Sequence, residues 1–330
     1  MNEIIPGVYQ LKIPIPNNPL ECTNIYLVQG DDEYLLIDAG WDNRAALQSL
    51  KKQLAEIGVD LKDISQIIAT HGHHDHYGLA GKLRQLSQAK ISLHYMDKNL
   101  VNPGELKMDE FIRQTEQWLH SNGVPAHELA APWMGPPGMK MPTPTLPDVI
   151  LHGGETISSG VFNFQVVWTP GHSPGHVCLY EPSQKILFAG DHVLPVITPN
   201  VSLRLNSAPN PLGDFLNSLN KVKQLDVNLV LPAHEHLFTD LQKRVEEIIQ
   251  HHQLRNLEIL DALRDEPKPA YQISTEITWM PEFGGVRFQD LAPGDKRMAV
   301  SETLAHLETM RIDGRVVKST QDSIIYYRHT

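Results

Sequence analysis

The sequence predicts an α/β protein, and three observations carry that reading. Short apolar strands alternate with helical stretches over the first hundred residues. An apolar strand runs four times into a short turn bearing His or Asp. From Leu241 the composition turns helical and closes on a hairpin pattern. At 330 residues and 41% hydrophobic content the chain can bury a sizeable core. Its expected organisation is one large domain over 1–240 and a smaller one over 241–330.

The elements follow in order. Val8 to Ile13 alternates, and Asn24–Val28 and Tyr34–Asp38 flank the turn Gln29–Asp32 as a strand pair. Asp38, where the second strand ends, reads either as a buried acceptor beside the candidate site or as a simple turn residue. Asp42 is the expected N-cap of a helix from Arg44 to Ile57, whose Leu47, Leu50, Leu54 and Ile57 form one apolar stripe. Ile64–Ala69 reads as a buried strand, Leu79–Leu86 as a helix and Ile91–His94 as another strand.

Between that strand and helix lies Thr70-His71-Gly72-His73-His74-Asp75-His76-Tyr77-Gly78, four imidazoles and a carboxylate within six positions. Neutral imidazole and carboxylate are the usual protein ligands for zinc and its divalent neighbours. A histidine-rich surface tract would have the same composition but not the strand–loop–helix setting. Three later strand ends offer partners: Val161–Trp168 runs into Thr169–His176, Lys185–Ala189 into Gly190-Asp191-His192, and Val227–Leu231 into Pro232–His236. Ligands at the ends of several strands of one sheet converge on a single rim.

Residues 97–148 break the rhythm. An amphipathic helix over Met108–Leu119 is followed by Trp133-Met134-Gly135-Pro136-Pro137-Gly138 and further prolines. So much Pro and Gly opposes regular structure, while the Trp and Met are too apolar for a solvated linker. The segment reads as a lid over an apolar pocket, with Trp118 and Trp133 touching substrate, or as a surface excursion packing its own aromatics. Beyond Leu241, a long helix ends before Pro267, a short one spans Tyr271–Ile277, and a third runs Met298–Met310. Arg315–Val317 pairs with Ser323–Tyr327 as a hairpin.

Charge and cysteine content limit the partners. The net charge is −11, and both 1–239 (16 Lys and Arg, 24 Asp and Glu) and 240–330 (12 against 15) are acidic, which argues against a nucleic-acid partner. Cys22 and Cys178 stand far apart and in no paired spacing, as reduced thiols do. No secretory signal is visible at the N-terminus and no long apolar run offers a membrane span, so the expectation is a cytoplasmic protein, monomer or homodimer.

Thr70–Gly78 matches the His-x-His-x-Asp-His motif of the metallo-β-lactamase superfamily, and the later turns match its remaining motifs in order, so residues 1–240 resemble that family. The resemblance implies an αββα sandwich, two mixed sheets flanked by helices. Leu254–Leu263 and Ala299–Glu308 resemble the winged-helix extension of the lactamase-beta-2-like members. The superfamily resemblance also implies two divalent ions, zinc by default with iron or manganese as alternatives, roughly 3.5–4 Å apart with a bridging hydroxide between them. One ion takes His71, His73 and His172; the other takes Asp75, His76 and His234; Asp191 bridges them. Asp75 and Asp191 would thus be catalytic. His176 and His192 are candidates to orient the metal-bound imidazoles, and His74 is expected to point away. Asp191 and the Gly171–His176 turn look like the glyoxalase II and lactonase branch, whose substrates are acyl thioesters, esters and lactones. Two other functions stay open: a single-strand endoribonuclease, as some lactamase-beta-2-like relatives are, and a metal-stabilised module whose winged helix dimerises.

Overall fold

The computed structural model describes residues 1–102, 108–129, 144–205 and 207–330. Backbone contacts divide the chain into two compact units. The first comprises 1–104, 141–199 and 218–245, and the second 105–140, 200–217 and 246–330. The second unit is therefore assembled from three separate stretches of chain.

The first unit holds two mixed sheets. Seven strands lie in chain order: β1 (Asn2–Ile5), β2 (Val8–Pro14), β3 (Cys22–Gln29), β4 (Tyr34–Ile37), β5 (Ile64–Ile68), β6 (Lys90–His94) and β7 (Val149–Leu151). The pairs up to β3–β4 are antiparallel and those from β4 to β7 parallel. Helix α1 (Arg44–Ala55) makes the first parallel crossover. Helices α2 (His74–Tyr77) and α3 (Ala80–Ser87) make the second, and α4 (Lys98–Val101) follows β6. The other sheet runs β12 (Leu229–Pro232), β11 (Ile186–Gly190), β10 (Val177–Glu181), β9 (Phe162–Trp168), β8 (Thr156–Ser159), and only β11–β12 is parallel.

Side-chain alternation explains why β3 reads as a continuous apolar run. Ile25 and Leu27 face a core shared with Ala46, Leu50 and Leu54 of α1 and Leu83 of α3. Tyr26 and Val28 face the opposite way, into a core shared with Phe164, Val166, Leu179 and Phe188 of the other sheet. A strand covered by helices on one face and a sheet on the other is buried on both. The helix cap falls one residue later than expected: Asn43, not Asp42, caps α1, with extended backbone and its side chain accepting from the Ala46 N–H at 2.8 Å. Only the residue directly before the first helical turn can reach that N–H.

The second unit contains α5 (Met108–Ser121), α6 (Ala126–Leu129), α9 (Ala270–Glu276), α10 (Pro293–Ile312), the short pair β13 (Thr278–Trp279) and β14 (Val286–Arg287), and the hairpin β15 (Val316–Gln321) with β16 (Ile324–His329). Helices α7 (Pro211–Val222) and α8 (Leu241–Ala262) each cross the division between the units. Leu119 packs in one core with Ile259, Ile273, Trp279, Val300, Leu304 and Tyr327. α10 begins five residues before the expected Met298 because Pro293 suits the first helical turn. No helix among the described residues is long and apolar enough to cross a membrane.

Candidate metal centre

Each candidate ligand sits just beyond a strand end of the first unit. The loop after β5 carries His71 and His73 into α2, which bears Asp75 and His76. The turn after β9 carries His172, and Gly171 within it takes φ +140°, which side chains rarely adopt. β11 ends on Gly190, at φ +52°, where a Cβ would come 2.6 Å from His176 Nε2, and Asp191 follows directly. β12 leads to His234.

These side chains meet as overlapping clusters: His71, His73 and His172; Asp75, His76 and His234; and Asp191 with His71 and His76. His73 Nδ1 lies 2.8 Å from His71 Nε2 and 3.0 Å from His172 Nε2. His234 Nε2 and His76 Nε2 lie 3.3 and 3.5 Å from Asp75 Oδ2. The Asp191 carboxylate is divided. Its Oδ1 is 3.4 Å from His76 and 3.3 Å from His234, whereas its Oδ2 is 3.4 Å from His172.

Behind the ligands, hydrogen bonds fix the rings. His76 Nδ1 donates to Asp38 Oδ2 at 2.8 Å, and His234 Nδ1 to the Cys22 carbonyl at 3.1 Å. Thr70 Oγ1 lies 3.1 Å from His71 Nδ1 and 3.0 Å from both oxygens of Asp38. With Nδ1 donating outward, the neutral form of His76 or His234 would present its Nε2 lone pair inward, where a cation could replace the proton that the neighbouring carboxylates otherwise hold there. His76 Nε2, His234 Nε2 and Asp191 Oδ1 are buried without a hydrogen bond, although they lie within ion-pair distance. Such atoms cost roughly 1–3 kcal/mol each unless something electrophilic meets them. A divalent cation fits that convergence, and imidazole with carboxylate is a donor set that zinc, iron and manganese accept.

The electrostatics point the same way. Burial keeps His71 neutral, its pKa well below the usual histidine range, with His76, His73 and His172 pressing it further down. Burial also opposes charge on His234 and His76. Asp191 and Asp75 outweigh it, raising His234 to about 10 and holding His76 well above its ordinary value. Burial raises Asp75 and Asp191, but the neighbouring histidines overcome it and hold both well below the carboxylate range. Cations of higher charge would compete for the same carboxylates.

Asp38 is thus a buried acceptor, held at φ +63°. We expect Asp38→Asn, which tolerates that backbone but cannot accept from both His76 and Thr70, to weaken metal affinity by about tenfold or more. Competition with a chelating dye measures this; unchanged affinity refutes the role. His176 is part of the framework. Its Nδ1 meets Thr169 Oγ1 at 2.8 Å, and its Nε2 accepts the Asp191 N–H at 3.1 Å. His192 is buried, its ring 5.9 Å from that of His176. His74 belongs to none of the clusters; its ring meets Trp41 edge-on at 5.8 Å. Trp118 packs against the core of the second unit, and Trp133 lies outside the described residues. Sequence reasoning alone passes over Thr70 and Asp97. The available signals are position only: Thr70 stands next to the ligand loop, and Asp97 stands beyond a strand end, as the ligands do.

Residues 21–234 match the model of the Metallo-beta-lactamase superfamily, a span that closes on His234. The chain belongs to that superfamily. It is a metal-dependent hydrolase, in keeping with its relatives. A probable metallo-hydrolase of Bacillus subtilis is 26% identical over 308 residues, 92% of each chain. A human protein named acyl-coenzyme A thioesterase is 30% identical over 229 residues, 65% of this chain and 74% of that one. The crystal structure of a metallo-beta-lactamase family protein from Thermus thermophilus superposes with a TM-score of 0.82 at 32% identity, covering 99% of this chain and 100% of the other.

Proposed function

We propose that the centre holds two divalent ions, zinc by default, and hydrolyses a small acyl thioester, ester or lactone. The observation that carries this is the divided carboxylate of Asp191, one oxygen toward His172 and the other toward His76 and His234. His71, His73 and His172 would hold one ion and Asp75, His76 and His234 the other. Two such ions supply hydroxide at neutral pH, polarise the acyl carbonyl and take up charge on the leaving group. The protein's part is to keep the carboxylates ionised and the imidazoles aimed. Asp38, Thr70 and the Cys22 carbonyl do this from behind.

The acyl substrate class is supported by the human and bovine relatives named acyl-coenzyme A thioesterases, each 30% identical to this chain. The order α8, α9, α10, β15, β16 supports a winged-helix reading of the C-terminal segment. Many of its basic groups sit beside acids, which favours a protein-facing role over an RNA-binding one. Arg255 pairs with Glu258, Lys268 with Glu276, Arg287 with Asp290, Lys296 with Glu128, and Arg311 and Lys318 with Glu308. Neutralised cations offer phosphates little.

The test is metal analysis of purified protein beside a panel of acyl-coenzyme A thioesters, aryl esters, lactones, phosphodiesters and single-stranded RNA. Two equivalents of metal and turnover confined to the acyl compounds are expected. Cleavage of RNA or phosphodiesters without acyl turnover would overturn the assignment.

A further inference from the structure

Asp97 is a carboxylate with no exposed surface, closing the turn between β6 and α4. Its Oδ2 accepts from the Gly72 N–H at 2.9 Å and from Ser173 Oγ at 2.7 Å, and its Oδ1 accepts from the Gly175 N–H at 2.6 Å. Gly72 lies between His71 and His73, while Ser173 and Gly175 follow His172. All of these donors therefore belong to loops bearing the first cluster, and none to a residue adjoining Asp75, His76 or His234.

The glycines permit the approach. A Cβ on residue 175 would fall 2.8 Å from Asp97 Oδ1 and 2.7 Å from its backbone nitrogen. A Cβ on residue 72 would crowd Leu100 and Val101 at 3.2 Å. From the other side, Trp168 Nε1 donates to the Pro174 carbonyl at 3.0 Å, holding the same turn. The carboxylate thus ties a loop 25 residues before it to a turn 76 to 78 residues after it. Hydrogen bonds to a charged acceptor are about twice as strong as neutral ones.

We infer that Asp97 is the positioning residue of the first ion site: it fixes His71 and His73 against His172 and thereby sets the affinity of that cluster alone. The inference rests on the two-ion reading above. Asp38 meets His76 of the second cluster directly and reaches His71 of the first only through Thr70 Oγ1, whereas Asp97 holds the loops of the first cluster alone.

Asp97→Asn keeps the shape but turns one acceptor oxygen into a donor, so one of the two glycine N–H groups, Gly72 on Oδ2 or Gly175 on Oδ1, must lose its acceptor. Metal content is expected to fall from two equivalents to about one, with affinity for the lost ion weakened at least about tenfold. The ion retained by Asp97→Asn should disappear on adding His234→Ala and persist on adding His172→Ala. Equal loss of both ions, or loss of neither, overturns the inference. Amide exchange in metal-stripped protein gives an arm independent of ion count. At least one of Gly72 and Gly175 should exchange faster in Asp97→Asn while the strand β10 amides do not change; unchanged exchange at both glycines overturns the positioning role. A wild-type protein binding one equivalent refutes the two-ion reading instead, and leaves the exchange result to decide for Asp97. Should Asp97→Asn fail to fold, Ser173→Ala removes one of the three hydrogen bonds to Asp97, leaves that of Gly175, and is expected to weaken the same ion by a smaller factor; no weakening also overturns the inference.

Discussion

Asp191→Ala is expected to abolish acyl turnover, with a loss on the order of 10³-fold in kcat/KM, about 4 kcal/mol of transition-state stabilisation. The reason is its placement between both clusters, within 3.4 Å of His76, His172 and His234. No neighbour can substitute, since Asp75 approaches only His76 and His234 among the described ligands. The same variant should lose metal from both sites, unlike Asp97→Asn. Its fold should persist, because the cores on either face of the seven-stranded sheet are apolar and do not include Asp191. The measurement is kcat/KM on the best thioester of the panel, beside circular dichroism and metal content. Turnover within about tenfold of wild type, with the fold intact, would remove Asp191 from the chemistry.

What could be read from the residues, and what could not, divides by range. His71, His73, Asp75 and His76 stand out because metal binding demands particular atom types close together in one loop, and spacing preserves that demand in the sequence. The strand ends bearing His172, Asp191 and His234 were legible for a related reason: each pairs an apolar run with a polar turn. Asp97 follows β6 in the same way, three residues beyond His94, but its partners lie 25 residues before it and 76 to 78 after it, so nothing local separates it from an ordinary turn carboxylate. Only contacts to Gly72, Ser173 and Gly175 give it meaning. The placement of α5 in the second unit was similarly hidden. Its amphipathic pattern says that one face is buried, not that Leu119 meets Ile259 and Tyr327. The near-helical spacing of apolar residues from Val245 to Leu263 predicts one buried face for α8; Val245 and Ile248 are buried, yet Leu254 and Leu257 are exposed, because a helix of 22 residues turns through more than one environment.

The second unit carries a buried polar chain that the sequence left as scattered histidines. His306 Nδ1 lies 2.7 Å from Asn256 Oδ1, and His306 Nε2 lies 3.3 Å from His252 Nδ1. Asn256 Oδ1 can only accept, so His306 donates through Nδ1 and accepts through Nε2, and His252 donates through Nδ1. Both rings are then neutral. Protonating His306 would set two N–H groups face to face, and protonating His252 would bury a donor at Nε2, an atom without a hydrogen-bond partner. Among the described residues, the groups acting on the pair add no compensating negative charge: burial is the main force lowering both pKa values, His251 and Arg255 lower them further, and Phe215 packs edge-on against His252. His252 is lowered to about 3.

The sign of the resulting pH dependence follows. The unfolded chain takes up these protons near pH 6.5 while the native state refuses them, so stability is full above about pH 6.5 and falls as the pH drops toward 3. At pH 5, about 1.5 units below the unfolded value, each ring would cost about 2 kcal/mol. For the pair, that is a large share of the roughly 5–15 kcal/mol typical of a domain. His252→Leu removes one titrating ring and its unpartnered Nε2 together. It also leaves the buried His306 Nε2 without its donor, so the variant should be somewhat less stable than wild type at about pH 8 and lose less stability than wild type between about pH 8 and pH 5. Urea unfolding at the two pH values, on metal-stripped protein so that ligand protonation enters both variants alike, measures the difference. An acid slope equal to that of wild type would show that the histidine chain does not set it.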